Sequence, residues 1–365
     1  MPQASDRYSS QGSTFSQSPS ELEHLAAART GDANHFSELA EPYRRELQAH
    51  CYRLLGSLHE AEDMVQETYL RAWKRLDSYE ARAPFRAWLY KIATNACLDV
   101  LDRRRSRRFL PSQLLPSSDP RAPVLAATAE VAWLEPYPDE WLVDQSAINP
   151  ETRYADSENV SLSFLAALQV LPPRQRAALI LSDVLDFSSR EVAELLGLTV
   201  AAVSSALHRA RATLNQQYHG REPEGSLNSL ANERTRWLLE RFAHAWESAD
   251  IEGLVTLLKE DATLAMPPSP SWYQGRAAIA AFVAATMFAD GDGMFSGKAV
   301  GRWRLLPVRA NRSPAFALYQ RTGENKYEGF GIQVLAGDEG GFAEIVSFID
   351  PTLPARFGLP VLLEA

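Results

Sequence analysis

The sequence predicts a multi-domain chain in which two all-α domains, the second built on a helix-turn-helix, precede a C-terminal α+β domain shaped as a cup. Three observations predict this. The length, 365 residues, exceeds one ordinary domain, and a hydrophobic content of 45% is ample for several packed cores. Apolar residues recur at helical spacing up to about residue 108 and again over 162–214, on either side of a proline-rich stretch. Beyond about residue 299 the pattern alternates with period two instead.

Residues 1–20 are polar and rich in Ser and Gln, which reads as a disordered tail and as neither a signal peptide nor an anchor. From Glu21 to about Ser57, Leu22, Leu25, Phe36, Leu39, Tyr43, Leu47 and Leu54 follow helical spacing, broken by a turn near Gly31 and Asp32. The next helix, about His59 to Leu76, buries Ala61, Val65, Tyr69, Ala72 and Leu76 and turns Glu62, Asp63, Gln66, Glu67 and Arg71 outward. A loop closed by Pro84 leads into a helix from about Phe85 to Arg103. There Phe85, Trp88 and Tyr90 stand among Arg82, Arg86 and Lys91, and a basic run, Arg103 to Arg108, follows. Residues 21–108 thus form the first helical domain.

Residues 109–160 are interrupted by Pro111, Pro116, Pro120, Pro123, Pro136, Pro138 and Pro150 and carry a marked acidic excess, so they read as a linker. Within it AWLEPYPDEWL, residues 132–142, is too aromatic for an idle tether and is expected to pack on a domain. The second domain, 161–218, has legible punctuation. Ser188 and Glu191 form a capping box, Gly197 ends that helix, and Thr199 caps the next one, which runs through about Leu214 past Arg209 and Arg211. Two short helices across a tight turn describe a helix-turn-helix. After a polar break at 219–232, residues 233–355 offer helices over Arg234–Ala249, Ile251–Leu258 and Arg276–Met287. Four alternating runs between Ala299 and Asp350 then predict consecutive antiparallel strands. Residues 356–365 read as a tail.

A formal net charge of -9 argues against coating nucleic acid by bulk electrostatics, so any such contact is local or assisted by a partner. Cys51 and Cys97 sit in helical patterns and fit reduced core residues of a cytoplasmic protein. No run reaches the length of a membrane span. No cofactor, metal-ligating set or catalytic constellation is expected: His244 is the only histidine of the third domain, and no carboxylate pair has evident spacing.

Each motif has a plain alternative. The acidic face Glu62, Asp63, Gln66, Glu67 either docks on a basic protein surface or is a solvated helix face. The helix from Phe85 either stacks unpaired bases, with Tyr79, Arg82, Phe85, Arg86, Trp88, Lys91 and Asn95 available to a melted strand, or is partly core. The helix-turn-helix reads a major groove or serves as a protein-binding hairpin. Trp246, Met266, Trp272, Tyr273 and Phe282 line a small-molecule pocket in the cup or are ordinary core.

AEDMVQETYLRAW followed by FRAWLYKIATNACLD resembles region 2 of bacterial RNA polymerase sigma factors of the extracytoplasmic-function group, and LPPRQRAALIL with SSREVAELLGLTVAAVSSALHRAR resembles their region 4. The C-terminal part, through RFAHAWESADIEGLVTLL, resembles the cone-shaped SnoaL-like domains that some of these factors carry. The resemblance implies that the chain binds core RNA polymerase, recognises promoter DNA and helps to melt it. It places Asp63, Gln66 and Glu67 toward the polymerase clamp helices, and Tyr79 to Pro84, with Asn95 nearby, around a base flipped from the minus-ten element. It assigns reading of the minus-thirty-five element to Thr199, Ser204, Ser205, His208, Arg209 and Arg211, phosphate contact to Arg103–Arg108, and regulation, in answer to a small ligand, to the third domain. Ser204 and Ala206 stand where many relatives carry a basic residue. A stand-alone helix-turn-helix regulator, or a protein whose cup is a ligand-binding or enzymatic module, are the alternatives.

Overall fold

The helices begin and end where the sequence supplies caps. In the computed structural model, which describes residues 19–81, 83–104, 107–127, 131–142, 160–217, 227, 232–292 and 294–364, α1 spans Pro19–Arg29 and α2 Ala33–Ala40. Asp32 caps α2 by accepting from the N–H groups of Asn34 and His35. α3 (Arg44–Leu55) ends on Gly56 at φ 69°, and Ser57 caps α4 (Leu58–Lys74). α5 (Phe85–Arg104) completes the first domain. Leu47, Tyr52, Ala61, Leu89, Ala93 and Cys97 pack at its centre with no exposure. Cys51 and Cys97 are buried free thiols, and burial, followed by a hydrogen bond to Cys51, pushes the Cys97 thiol up. The tail read over residues 1–20 lies outside the described residues as far as residue 18, and Pro19 and Ser20 already belong to α1.

Two stretches of the linker, 109–127 and 131–142, are among the described residues. β1 (Arg108–Phe109) pairs in parallel with β2 (Ala132–Trp133), and α6 is a single turn, Pro111–Leu114. The second domain holds α7 (Leu162–Val170), α8 (Pro173–Leu179), which runs on into a π turn at Ile180–Val184, α9 (Ser189–Leu196) and α10 (Val200–Gln217). α9 and α10 meet at a bend of 101°. The caps are those the sequence specifies. Glu191 returns a carboxylate oxygen to the Ser188 N–H at 2.8 Å, Gly197 takes φ 64°, and Thr199 Oγ1 accepts from Ala202 N at 3.1 Å.

The third domain places α11 (Glu233–Ser248), α12 (Ile251–Thr256) and α13 (Arg276–Ala285) against a mixed sheet. A short hairpin, β5 (Gly291–Asp292) and β6 (Ser296–Gly297), stands apart from it. The sheet has seven strands: β3 (Leu258–Ala265), β4 (Trp272–Gln274), β7 (Trp303–Ala310), β8 (Ser313–Arg321), β9 (Lys326–Asp338), β10 (Gly341–Ile349) and β11 (Leu362–Glu364). Their order is β4-β3-β10-β9-β8-β7, with β11 on β9. The four alternating runs are β7 to β10. β3 departs from the antiparallel expectation by pairing in parallel with β10, and β11 draws residues read as a tail into the sheet. α14 (Leu353–Arg356) lies between β10 and β11.

Alternation along β8 explains how the domains join. Phe316 and Leu318 face α11 to α13 and pack with Phe242, Trp246, Phe282 and Phe342. Ala315, Ala317 and Tyr319 face the other way and enter one continuous apolar core with both helical domains. The sheet is therefore buried on both sides. The linker seals the seam. Leu134 lies so close to Gly56 that a Cβ there would sit 2.6 Å from it, and Glu135 caps α4 by accepting from Ser57 Oγ at 2.8 Å and Leu58 N at 2.8 Å. The segment 132–142 packs on the third domain, with Pro138 bridging Ala310 and Asp139 paired with Arg309 at 3.0 Å.

At the tip of the β7–β8 hairpin Asn311, fully buried at φ 55°, ties all three parts together. Its Oδ1 accepts from Tyr137 N at 2.9 Å, and its Nδ2 donates to Tyr52 Oη at 2.9 Å and to Val160 O at 2.8 Å. Removing the amide leaves buried partners unsatisfied at about 1–3 kcal/mol each. Asn311→Gly, which suits the left-handed backbone, should still cost about 2 kcal/mol in urea unfolding followed by tryptophan fluorescence. An unchanged midpoint would show that the junction carries no load.

His50, wholly buried with Nε2 2.8 Å from Thr94 Oγ1, is held neutral: burial, then Arg53 and Arg86, lower its pKa from 6.5 to about 3. The unfolded chain binds this proton first, so His50 costs stability progressively as pH falls from 6.5 toward 3. His50→Gln should reduce the pH dependence of unfolding free energy in that window by up to about 1.4 kcal/mol per pH unit. Urea melts across that range measure the slope.

Candidate polymerase and DNA interfaces

Helical geometry sets α4's polar side chains on one face. Asp63 and Gln66 are exposed. Glu67 is half-buried and receives Arg71 Nε at 2.6 Å, while Arg71 also reaches Asp99 at 2.9 Å. Glu62 is paired with Arg356 at the end of α14 in the third domain. The acidic face is thus open at Asp63 and Gln66 and occupied by the chain itself at Glu62 and Glu67. Arg356 had no signal in the sequence, because it lies in what reads as a tail.

The residues expected at a melted strand divide sharply. Tyr79 and Phe85 are core: Tyr79 Oη donates to Ala83 O at 2.8 Å, its carbonyl accepts from Arg29, and its ring packs on Phe85 and Trp88. Trp88 is half-buried in that cluster. Arg86, expected on the outside, instead pairs with Glu46 at 2.7 Å and lies over the rings of Tyr90 and of Phe187 from the second domain. A guanidinium has both a charge to pair and a flat face to cover, and this seam satisfies both. Lys91 and Asn95 are exposed, and Arg82 lies outside the described residues. Arg108 also departs from the phosphate role expected of the basic run. It pairs with Glu60 at 2.9 Å and Glu135 at 3.5 Å and donates to Trp133 O at 2.8 Å, while Arg103 and Arg107 are exposed.

On α10 the side chains of Ser204, Ser205, His208 and Arg209 form an exposed row, and Thr199 is exposed at the start of the helix. Arg211 is held by a two-pronged pair with Asp183, at 2.9 and 2.7 Å. Ala206 is buried, so of the two positions at which the resemblance leads one to expect a basic residue only Ser204 faces outward. The two helical domains meet at Arg176. This buried guanidinium donates to Leu54 O at the end of α3 and to Gln169, and burial followed by Arg107 lowers its pKa to about 9.

The residues expected to line a cup fill it. Trp246, Met266, Tyr273 and Phe282 belong to one packed cluster, with Tyr273 and Phe282 stacked at 4.1 Å. Trp272 turns to the linker and donates from Nε1 to Leu115 O at 2.8 Å. His244 is exposed. A cavity of about 480 Å³ lies elsewhere, where the first domain, the linker and the third domain meet, lined by His59, Arg108, Trp133, Glu135, Phe348 and Asp350 among others. Sequence reasoning missed Glu135 and Arg108 because their roles depend on contacts across the linker. Among the described residues no single helix is long and apolar enough to cross a membrane.

Comparison with known proteins agrees with this layout. Residues 39–108 match Sigma-70 region 2, residues 161–214 match Sigma-70, region 4, and residues 239–339 match the SnoaL-like domain. The ECF RNA polymerase sigma factor SigG of Mycobacterium tuberculosis (strain ATCC 25618 / H37Rv) is 43% identical over 338 residues, 92% of this chain and 86% of SigG. SigW of Bacillus subtilis (strain 168) is 28% identical over 193 residues, 53% of this chain and 94% of SigW. The crystal structure of the Mycobacterium tuberculosis sigma factor SigJ matches at a TM-score of 0.54 and 21% identity, covering 88% of this chain and 98% of that one, which shows a shared fold. Sigma factors bind core RNA polymerase and promoter DNA and are not themselves enzymes. This chain belongs to the extracytoplasmic-function RNA polymerase sigma factors, with a SnoaL-like third domain added to the two sigma domains.

Proposed function

We propose that this sigma factor rests in a closed arrangement latched by its third domain, and that productive binding to polymerase and promoter releases the latch. The observation that carries the reading is the pair between Arg356 and Glu62, which sets the third domain's C-terminal segment on the acidic face of α4. Asp63, Gln66 and Glu67 dock on polymerase, Lys91 and Asn95 approach the melted strand, and Ser204, Ser205, His208 and Arg209 enter the groove. Tyr79 and Phe85 support the strand-binding loop from inside. The minus-ten and minus-thirty-five elements are about 25 base pairs apart, roughly 85 Å of B-form DNA. Two domains that share one core and a direct bond from Arg176 to Leu54 must separate to reach both. On this reading the third domain acts without catalysis in the cytoplasm, and its small-molecule input enters at the junction cavity, which the filled cup supports.

Deleting the third domain would expose the apolar outer face of its partners, so point substitutions in the full chain are the sharper test. Arg356→Glu should raise affinity for core polymerase and run-off transcription by up to about fivefold, the equivalent of about 1 kcal/mol for a partly exposed pair. Equal or lower activity would refute the latch. Asp63→Arg should abolish polymerase binding with the fold intact. In gel shifts, promoter duplex should be retained only when core polymerase is present; retention by the chain alone would favour the stand-alone regulator.

A further inference from the structure

Four polar side chains on the first two helices converge without any part in the functions described so far. His24 projects from α1, and Asp32, His35 and Glu38 follow at intervals of three residues along the start and first turns of α2. His24 Nδ1 lies 3.1 Å from Glu38 Oε2, and His35 Nδ1 lies 2.9 Å from Asp32 Oδ2. The two imidazole rings lie side by side, tilted at 46° with centroids 5.4 Å apart. One ligand atom from each of His24, His35 and Glu38 falls within 4.8 Å of the other two.

We propose that His24, His35 and Glu38 form a binding site for a divalent first-row transition ion of the Zn²⁺ class, with Asp32 as the positioning residue for the His35 ring. The chemistry suits the ion. Two imidazoles and one carboxylate are borderline donors at which Zn²⁺ binds with bonds of about 2.0–2.2 Å, and three protein ligands leave a coordination position for water. Donors on a tetrahedral ion are roughly 3.3 Å apart, so the trio closes by side-chain rotation alone. Asp32 divides its carboxylate. Oδ1 accepts from Asn34 N at 2.9 Å to cap α2, while Oδ2 lies 2.9 Å from His35 Nδ1, close enough for the carboxylate-histidine pairing that fixes ring orientation at metal sites. No metal-ligating set was expected from the sequence. The spacing D-x-x-H-x-x-E is visible there, but His24 joins it only when α1 folds back across the Gly31 turn.

The site has a structural consequence within the chain. α1 is short, and at its far end Arg29 donates to the carbonyl of Tyr79, where the strand-binding loop begins. A bound ion cross-links α1 to α2 independently of the apolar contacts of Leu25, Ala28, Phe36 and Leu39, and so stiffens the support on which that loop rests.

The test uses the full-length chain without an affinity tag. Isothermal titration with Zn²⁺ should show one equivalent bound at this site, and Co²⁺ should bind with visible ligand-field absorption. His24→Ala and His35→Ala should each weaken Zn²⁺ binding at least tenfold, Asp32→Asn should weaken it less, and His244→Ala should leave it unchanged. Circular dichroism controls for folding, since all four side chains are partly exposed and their replacement leaves the core intact. Zn²⁺ should also slow hydrogen exchange in residues 19–31 of the wild type but not of the His24→Ala/His35→Ala variant. Failure of the wild-type chain to bind Zn²⁺, or equal affinity in the double variant, would overturn the proposal. Neither result bears on polymerase binding.

Discussion

The closed arrangement rests on the amide of Asn311. Its side chain bonds directly to a backbone N–H of the linker, a tyrosine hydroxyl of the first domain and the carbonyl that leads into the second. A buried amide offers two donors and an acceptor in fixed geometry, so it specifies one relative placement of three chain segments where apolar contacts alone would allow sliding. Around it, burial pushes the Tyr52 hydroxyl far up and raises the Asp139 carboxyl even beside Arg309 and Arg312, and Glu135 caps the start of α4. The seam is a connected polar network inside an apolar shell, which makes it specific and separable at once.

What could be read from sequence was what is local. The helix-turn-helix was legible because Ser188, Glu191, Gly197 and Thr199 act within a few residues of one another. β7 to β10 were legible because alternation is a property of the strand itself. β3 merges with the helix before it, and β4 and β11 are too short to show a period. Asn311, Arg356, Glu135 and Arg108 were illegible, because each earns its role from a partner far along the chain. The cup was ambiguous in principle: the aromatic residues that would line a pocket are the same ones that would fill it, and only packing decides.

Electrostatics divides the surface in a consistent way. The chain is acidic overall, and its arginines are drawn inward to seams: Arg86, Arg108, Arg176 and Arg309 all bridge segments that the sequence keeps apart. Cations used as mortar are unavailable to phosphates. The exposed row on α10 therefore holds one arginine, one histidine and two serines, a thin electrostatic grip that suits a protein whose DNA affinity comes from a larger assembly.

Asn311 also sets a clock. Its carbonyl partner at Val160 precedes it by 151 residues. The second sigma domain ends with α10 at Gln217, 94 residues before Asn311, so at synthesis rates of about 5–20 residues per second the two sigma domains are complete roughly 5 to 19 s before the hairpin that joins them to the third domain has been made. For that interval the nascent chain carries both sigma domains without the element that joins them to the third, so the three-way junction is the last part of each new molecule to form.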